Sequence, residues 1–109
     1  MIQVLLVGSK DGLLQSCSAQ GHAGFAAKGK DIVCAAVTSL LRTVLAMLEK
    51  KTSIVLDENS SDRGFLAFSV KGFCSDDESL LRYSFGFLHE GLSLIAQDYP
   101  KCIKLRVED

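Results

Sequence analysis

The sequence predicts an α/β (α+β) fold: one domain, a mixed, mostly antiparallel sheet of about five strands, and two helices on one face. Three observations predict it. Short apolar runs, each closed by glycine or turn residues, recur at the two ends and in the middle of the chain. Two longer segments instead repeat their apolar residues every three to four positions, the helical period. In chain order the segments read strand, strand, helix, strand, strand, helix, strand. No repeat, low-complexity segment or linker divides them.

Residues 2–7 are β-branched and leucine-rich and stop at Gly8, which reads as a strand. Ser9-Lys10-Asp11-Gly12 has Asp-Gly turn chemistry, so residues 13–20 return as the second arm of a hairpin. Gln15, Ser16, Ser18 and Gln20 give that arm one wet face. Residues 21–30 hold three glycines and no sustained period, and are expected to form a mobile loop. Asp31 then suits the N-cap of a helix running to about residue 50 or 51. Its apolar stripe is Val33, Val37, Leu40, Leu41, Val44 and Leu48, widened by Ala35, Ala36, Leu45 and Met47. A helix so apolar is expected to be covered on more than one side.

Residues 52–57 read as a strand, 58–63 as a polar loop and 64–70 as the other arm of a second hairpin. Ser75-Asp76-Asp77-Glu78 has the form of a capping box. The helix it opens carries Leu81, Phe85, Leu88, Leu92, Ile95 and Tyr99 on one stripe, and Tyr99-Pro100 ends it because proline cannot continue a helix. Residues 102–107 alternate Ile103, Leu105 and Val107 with lysine and arginine, as a final strand does.

The length of 109 residues allows one modest core without metal or disulfide support. A net charge of −1, with acids and bases spread along the chain, argues against a nucleic-acid binder. The N-terminal run lacks a basic region and breaks at Gly8, so it resembles neither a signal peptide nor a membrane span. A cytoplasmic protein with reduced thiols is expected. Cys17, Cys34, Cys74 and Cys102 are widely spaced with no Cys-x-x-Cys pair, so no metal site is expected. Cys17, Cys74 and Cys102 lie in or beside apolar runs and are expected to be small buried hydrophobes. Gly21, Gly24 and Gly29 match no phosphate or dinucleotide fingerprint, and no cofactor is expected.

The chemistry concentrates at residues 21–38. Cys34 falls in the first turn of the first predicted helix, where the positive end of the helix field favours a thiolate. His22 lies about twelve residues upstream on a glycine-flanked segment that can fold back over the helix start. A histidine in contact with a thiol can take its proton and later protonate a leaving amine. Against this stand two plainer readings: Cys34 as a small residue beside Ala35 and Ala36, and His22 as a surface loop residue. Asp31 serves as N-cap, or as a third group orienting His22. The glycines are turn residues, or points where a peptide backbone can approach closely. His89, mid-helix beside Glu90, has no assigned chemistry.

Gly21-His22-Ala23 followed by Gly29-x-Asp31-Ile32-Val33-Cys34-Ala35-Ala36-Val37 resembles the signature of the ribosomal-processing cysteine protease (Prp) family. Gly91-Leu92, Ile95 and Tyr99-Pro100 resemble the end of that family's second helix. The resemblance implies that residues 1–109 form a single Prp-like cysteine protease domain. It implies a cytosolic homodimer that removes a short N-terminal extension from a large-subunit ribosomal protein, cutting after an aromatic residue. Carried over by position, Cys34 is the nucleophile and His22 the general base. Asp31 occupies a motif position, and Thr38 stands where the family usually has serine, so both are candidate supporting residues. Gly21, Ala23, Gly24 and Gly29 are candidates for the substrate-facing loop. The partner implied is a peptide, with no direct contact to nucleic acid or membrane. The alternative class is a non-enzymatic, ribosome-associated binding module that uses residues 21–30. A thiol redox protein is weaker still, because no second cysteine lies close in sequence to resolve a disulfide.

Overall fold

The two arms of the first hairpin, β1 (Ile2–Gly8) and β2 (Leu14–Gln20), pair antiparallel from Gln3 opposite Gln20 to Gly8 opposite Leu14. The turn between them is closed by the Gly12 N–H donating to the Ser9 carbonyl at 2.9 Å and the Leu13 N–H donating to Ser9 Oγ at 3.1 Å. The structure is a computed structural model, and it describes residues 1–21, 32–60 and 64–109.

Helix α1 spans Ile32–Glu49, and β3 (Val55–Asn59) and β4 (Phe65–Gly72) form the second hairpin. One turn of 3-10 helix at Ser75–Asp77 leads into α2 (Glu78–Asp98), and β5 (Ile103–Glu108) closes the order. The sheet order is β3-β4-β2-β1-β5, with β5 parallel to β1 and the other three pairings antiparallel. The sheet is therefore mixed, as a five-stranded sheet with two helices was expected to be.

Cross-strand partners share a face. One row reads Leu105, Val4, Ala19, Leu66; the next reads Val107, Leu6, Cys17, Phe68, Glu58. Most of these side chains pack in or against the core, which α1 and α2 close from above. The second row ends on a carboxylate. Glu58 sits on the edge strand, on the helix side of the sheet, and is exposed, so the helical cover does not reach the β3 edge.

Helix α1 buries Val33, Val37, Leu41, Val44, Leu45 and Leu48, the face that its period predicts. By length and composition alone, with a mean hydropathy of 1.8 over 18 residues, it could cross a membrane. Here that face packs on α2 and the sheet. Among the described residues, the cover expected on more than one side of α1 is incomplete: Ile32, Ala35, Ala46 and Met47 are exposed. Gly91 of α2 lies close to α1: an added Cβ would stand 2.9 Å from a methyl carbon of Leu40.

Several boundaries differ from the sequence reading by a residue or two, and three differences have an identifiable cause. β3 starts at Val55 rather than residue 52, because residues 51–54 turn back onto the end of α1 through Lys51 N–H to Leu48 O and Ile54 N–H to Lys51 O. Glu58 and Asn59, read as loop, consequently belong to the strand. The cap of the second helix sits one residue earlier than the capping box: Asp77, not Glu78, reaches back to accept from the Cys74 N–H at 3.0 Å. Cys74 is thereby held at the surface, and the expectation that it is buried is wrong.

Asp77 is 1% exposed and ties two turns together. One carboxylate oxygen accepts from Cys74 N–H; the other accepts from Ser53 Oγ at 2.9 Å, with Lys51 Nζ at 3.8 Å. The Cys74 hydrogen bond first, then that of Ser53, with Lys51 adding to them, hold its carboxyl below its ordinary value against the opposing effect of burial. A carboxylate whose pKa falls on folding stabilises the native state above the unfolded value, and that contribution is lost as pH falls through the lower folded value. Asp77→Asn is therefore expected to lower the melting temperature by several degrees at pH 7. Below pH ~4 the gap to the parent should narrow, because the parent then loses the same charge. Melting curves from pH 7 down to pH 2.5 check this; a gap that widens in acid would contradict it.

Candidate active site

Positions 34, 38, 42, 45 and 49 of α1 recur every three to four residues and so form one stripe along the helix. Cys34, Thr38, Arg42, Leu45 and Glu49 all line a cavity of about 470 Å³ on the flank of α1. Its floor comes from the sheet, with Ala19 and Leu66 from one helix-facing row. Glu58 and Ser60 line it from the β3 edge, and Gly21 and Gly64 close it near the strand ends. From Cys34 to Glu49 the wall extends about 22 Å at the helical rise of ~1.5 Å per residue.

Cys34 is the third residue of α1, half-buried, and lines the cavity within the first helical turn. Thr38 follows one turn later on the same wall, also half-buried, and adds a hydroxyl to the cavity. The positive end of the α1 dipole lies at this first turn, where a developing oxyanion is favoured.

Gly21 sits where β2 ends. Its backbone has φ +97°, its N–H donates to the Gly64 carbonyl at 2.8 Å, and an added Cβ would stand 2.9 Å from the Met1 carbonyl oxygen. Only glycine meets both conditions at low cost. The sequence reading also nominated His22, Ala23, Gly24, Gly29 and Asp31, which lie outside the described residues. Of the nominated residues within them, Gly21, Cys34 and Thr38 come together around one cavity.

The other three thiols are placed differently. Cys17 and Cys102 are buried, and burial pushes the Cys17 thiol up to about 12. Cys74 is exposed on the turn before α2 and does not line the cavity. His89 lies against the Phe85 ring at a centroid distance of 5.8 Å, within α2, and does not line the cavity. Among the described residues no three His, Cys, Asp or Glu side chains gather as metal ligands would.

Sequence reasoning did not single out Arg42, Glu49, Glu58 or Ser60 as site residues. The helical stripe counted from Cys34 would have found the first two. Glu58 needed the strand pairing, since only the register places it on the helix side of the sheet.

The family of the cysteine protease Prp matches residues 1–104. Two crystal structures of a ribosomal processing protease Prp from S. aureus share the fold. The form with a covalently linked product peptide superposes with TM-score 0.82 at 22% identity, covering 98% of this chain and 99% of that one. The form with a substrate peptide gives TM-score 0.77 at 22% identity over the same shares. SMU.848 from Streptococcus mutans gives TM-score 0.76 at 26% identity, covering 100% of this chain and 96% of that one. Among curated proteins, none matches this chain. The chain belongs to the cysteine protease Prp family.

Burial and position separate the four thiols in a measurable way. Brief alkylation at neutral pH, followed by peptide mapping, is expected to modify Cys34 first and Cys74 next. Cys17 and Cys102 should stay protected until the chain unfolds. Labelling of Cys17 or Cys102 ahead of Cys34 would contradict the placement of the thiols.

Proposed function

We propose that this protein removes the N-terminal extension of a large-subunit ribosomal protein, with Cys34 as nucleophile and His22 as general base. The observation that carries the proposal is the placement of Cys34: a thiol in the first turn of α1, on the wall of an elongated cavity. An extended peptide bound there brings a carbonyl carbon to the sulfur. The thiolate attacks that carbon, and the first turn of α1 favours the resulting oxyanion. His22 takes the thiol proton and returns it to the departing amine. Water then hydrolyses the acyl-enzyme with His22 as base, which regenerates the thiol. His22 follows Gly21 in the chain, and Gly21 lines the same cavity as Cys34. Asp31, which precedes α1 in the chain, is assigned the cap of that helix and an electrostatic role toward His22; Thr38 is assigned a polar contact beside the reacting atoms. Ala23, Gly24 and Gly29 complete the segment that meets the peptide. Membership of a cysteine protease family favours this reading over a non-enzymatic binding module on residues 21–30. The S. aureus structures hold a product peptide and a substrate peptide, which supports a peptide as the partner.

Cys34→Ala should keep the fold, since alanine is a good helix former, and should abolish cleavage of a peptide copying the extension. His22→Ala should reduce the rate by about 10²–10⁴-fold, the usual contribution of general acid–base catalysis. Asp31→Ala should be milder in rate and cost about 1 kcal/mol through the lost cap. Products identified by mass decide the matter. A Cys34→Ala protein that cuts at the parental rate would end the protease assignment to this residue.

The working form proposed is a cytoplasmic homodimer. Met47 on α1 and Tyr83, Phe87 and Leu94 on α2 leave apolar surface exposed on the single chain, Tyr83 at 79%. Light scattering at micromolar concentration should give twice the 11.8 kDa chain mass. A monomer would remove the dimer and leave the chemistry untouched.

A further inference from the structure

The cavity wall beyond Thr38 carries a cation that the proposed chemistry does not use. Arg42 lines the cavity eight residues after Cys34, about 12 Å along the helix axis at ~1.5 Å per residue. An extended peptide advances about 3.3 Å per residue, so this distance corresponds to roughly four residues. On its own helix, the neighbours of Arg42 at three and four residues are Thr38, Ser39, Leu45 and Ala46, none of them acidic. Among the described residues the ion pairs join Lys51 to Asp77 and Arg106 to Glu108, so neither Glu49 nor Glu58, which share the cavity, pairs with Arg42. A guanidinium offers five N–H donors and no acceptor, in a planar fork that matches a carboxylate.

We propose that Arg42 is a specificity-determining residue, which binds an oxygen-acceptor side chain, above all a carboxylate, on the peptide residue about four positions from the scissile bond. This rests on the reading of Cys34 as the attacking group. The two glutamates sharpen the selection. They disfavour an acidic side chain elsewhere along the cavity, so the guanidinium marks one position at which negative charge is accepted. Arg42 is exposed and its charge is not part of the core, so substitution there tests recognition rather than folding.

The test uses peptides copying the proposed substrate, with Glu, Gln or Lys placed in turn at each position three to five residues from the cut, on either side. The parent enzyme should cut the Glu peptide faster than the Lys peptide by about tenfold in kcat/KM at one position. Arg42→Glu should reverse the order at that position alone, and Arg42→Gln should flatten it. An unchanged ranking in Arg42→Gln, with the parent enzyme cutting normally, would overturn the role of Arg42 and leave the protease reading in place. So would a lowered melting temperature with unchanged ranking, the mark of a structural pair with Glu58. If the parent enzyme cut none of the peptides, the protease reading would fail and the role of Arg42 with it.

Discussion

Two helices cannot cover five strands. A helix with its side chains is about 10 Å across, and strands lie about 4.8 Å apart, so two helices side by side roof about four strands. Here α2 packs over β5, β1 and β2, and α1 lies beside it. The strip over the β3 edge is left without a helix. The flank of α1 becomes a wall, the apolar row through Cys17 and Phe68 ends on the exposed Glu58, and the space between is the cavity. The position of Cys34 follows from the same constraint. The first turn of α1 lies where this open strip meets the end of the β2 strand, so a thiol there is reachable by a peptide and still half-buried.

The elements themselves were legible because their apolar periods are long and unmixed. The stripe of α1, the hairpin turn at Ser9 to Gly12 and the stop at Tyr99-Pro100 all report on local chemistry, and local chemistry decides them. What was not legible depended on the hydrogen bonding of individual turns and on contacts between distant segments. β3 begins late because the backbone after α1 folds onto the helix end. Asp77 rather than Glu78 caps because its carboxylate also answers Ser53, twenty-four residues upstream. Cys74 looked like a core residue from its neighbour Phe73, but the turn it belongs to is held at the surface.

The site was legible in the same uneven way. Gly21, Cys34 and Thr38 stood out as residue types in a recognisable order, and they line one cavity. The far end of that cavity did not stand out. Arg42 and Glu49 look like the ordinary polar positions of an amphipathic helix until the missing roof over β3 is seen. Glu58 looks like a loop residue until its register opposite Phe68 turns it toward the helices. A cysteine protease needs both halves: a nucleophile at a helix start and a length of open cavity to hold an extended chain against it.

Covalent capture of the reacting sulfur is the most direct measurement. A chloromethyl ketone carrying the sequence of the proposed extension up to the cut would alkylate an attacking thiolate, forming a thioether and releasing chloride. Intact mass should rise by one inhibitor per chain, and peptide mapping should place it on Cys34. Prior Cys34→Ala substitution should prevent it. An adduct on Cys74 with Cys34 unmodified, or full modification of the Cys34→Ala chain, would contradict the assignment of Cys34 as the nucleophile.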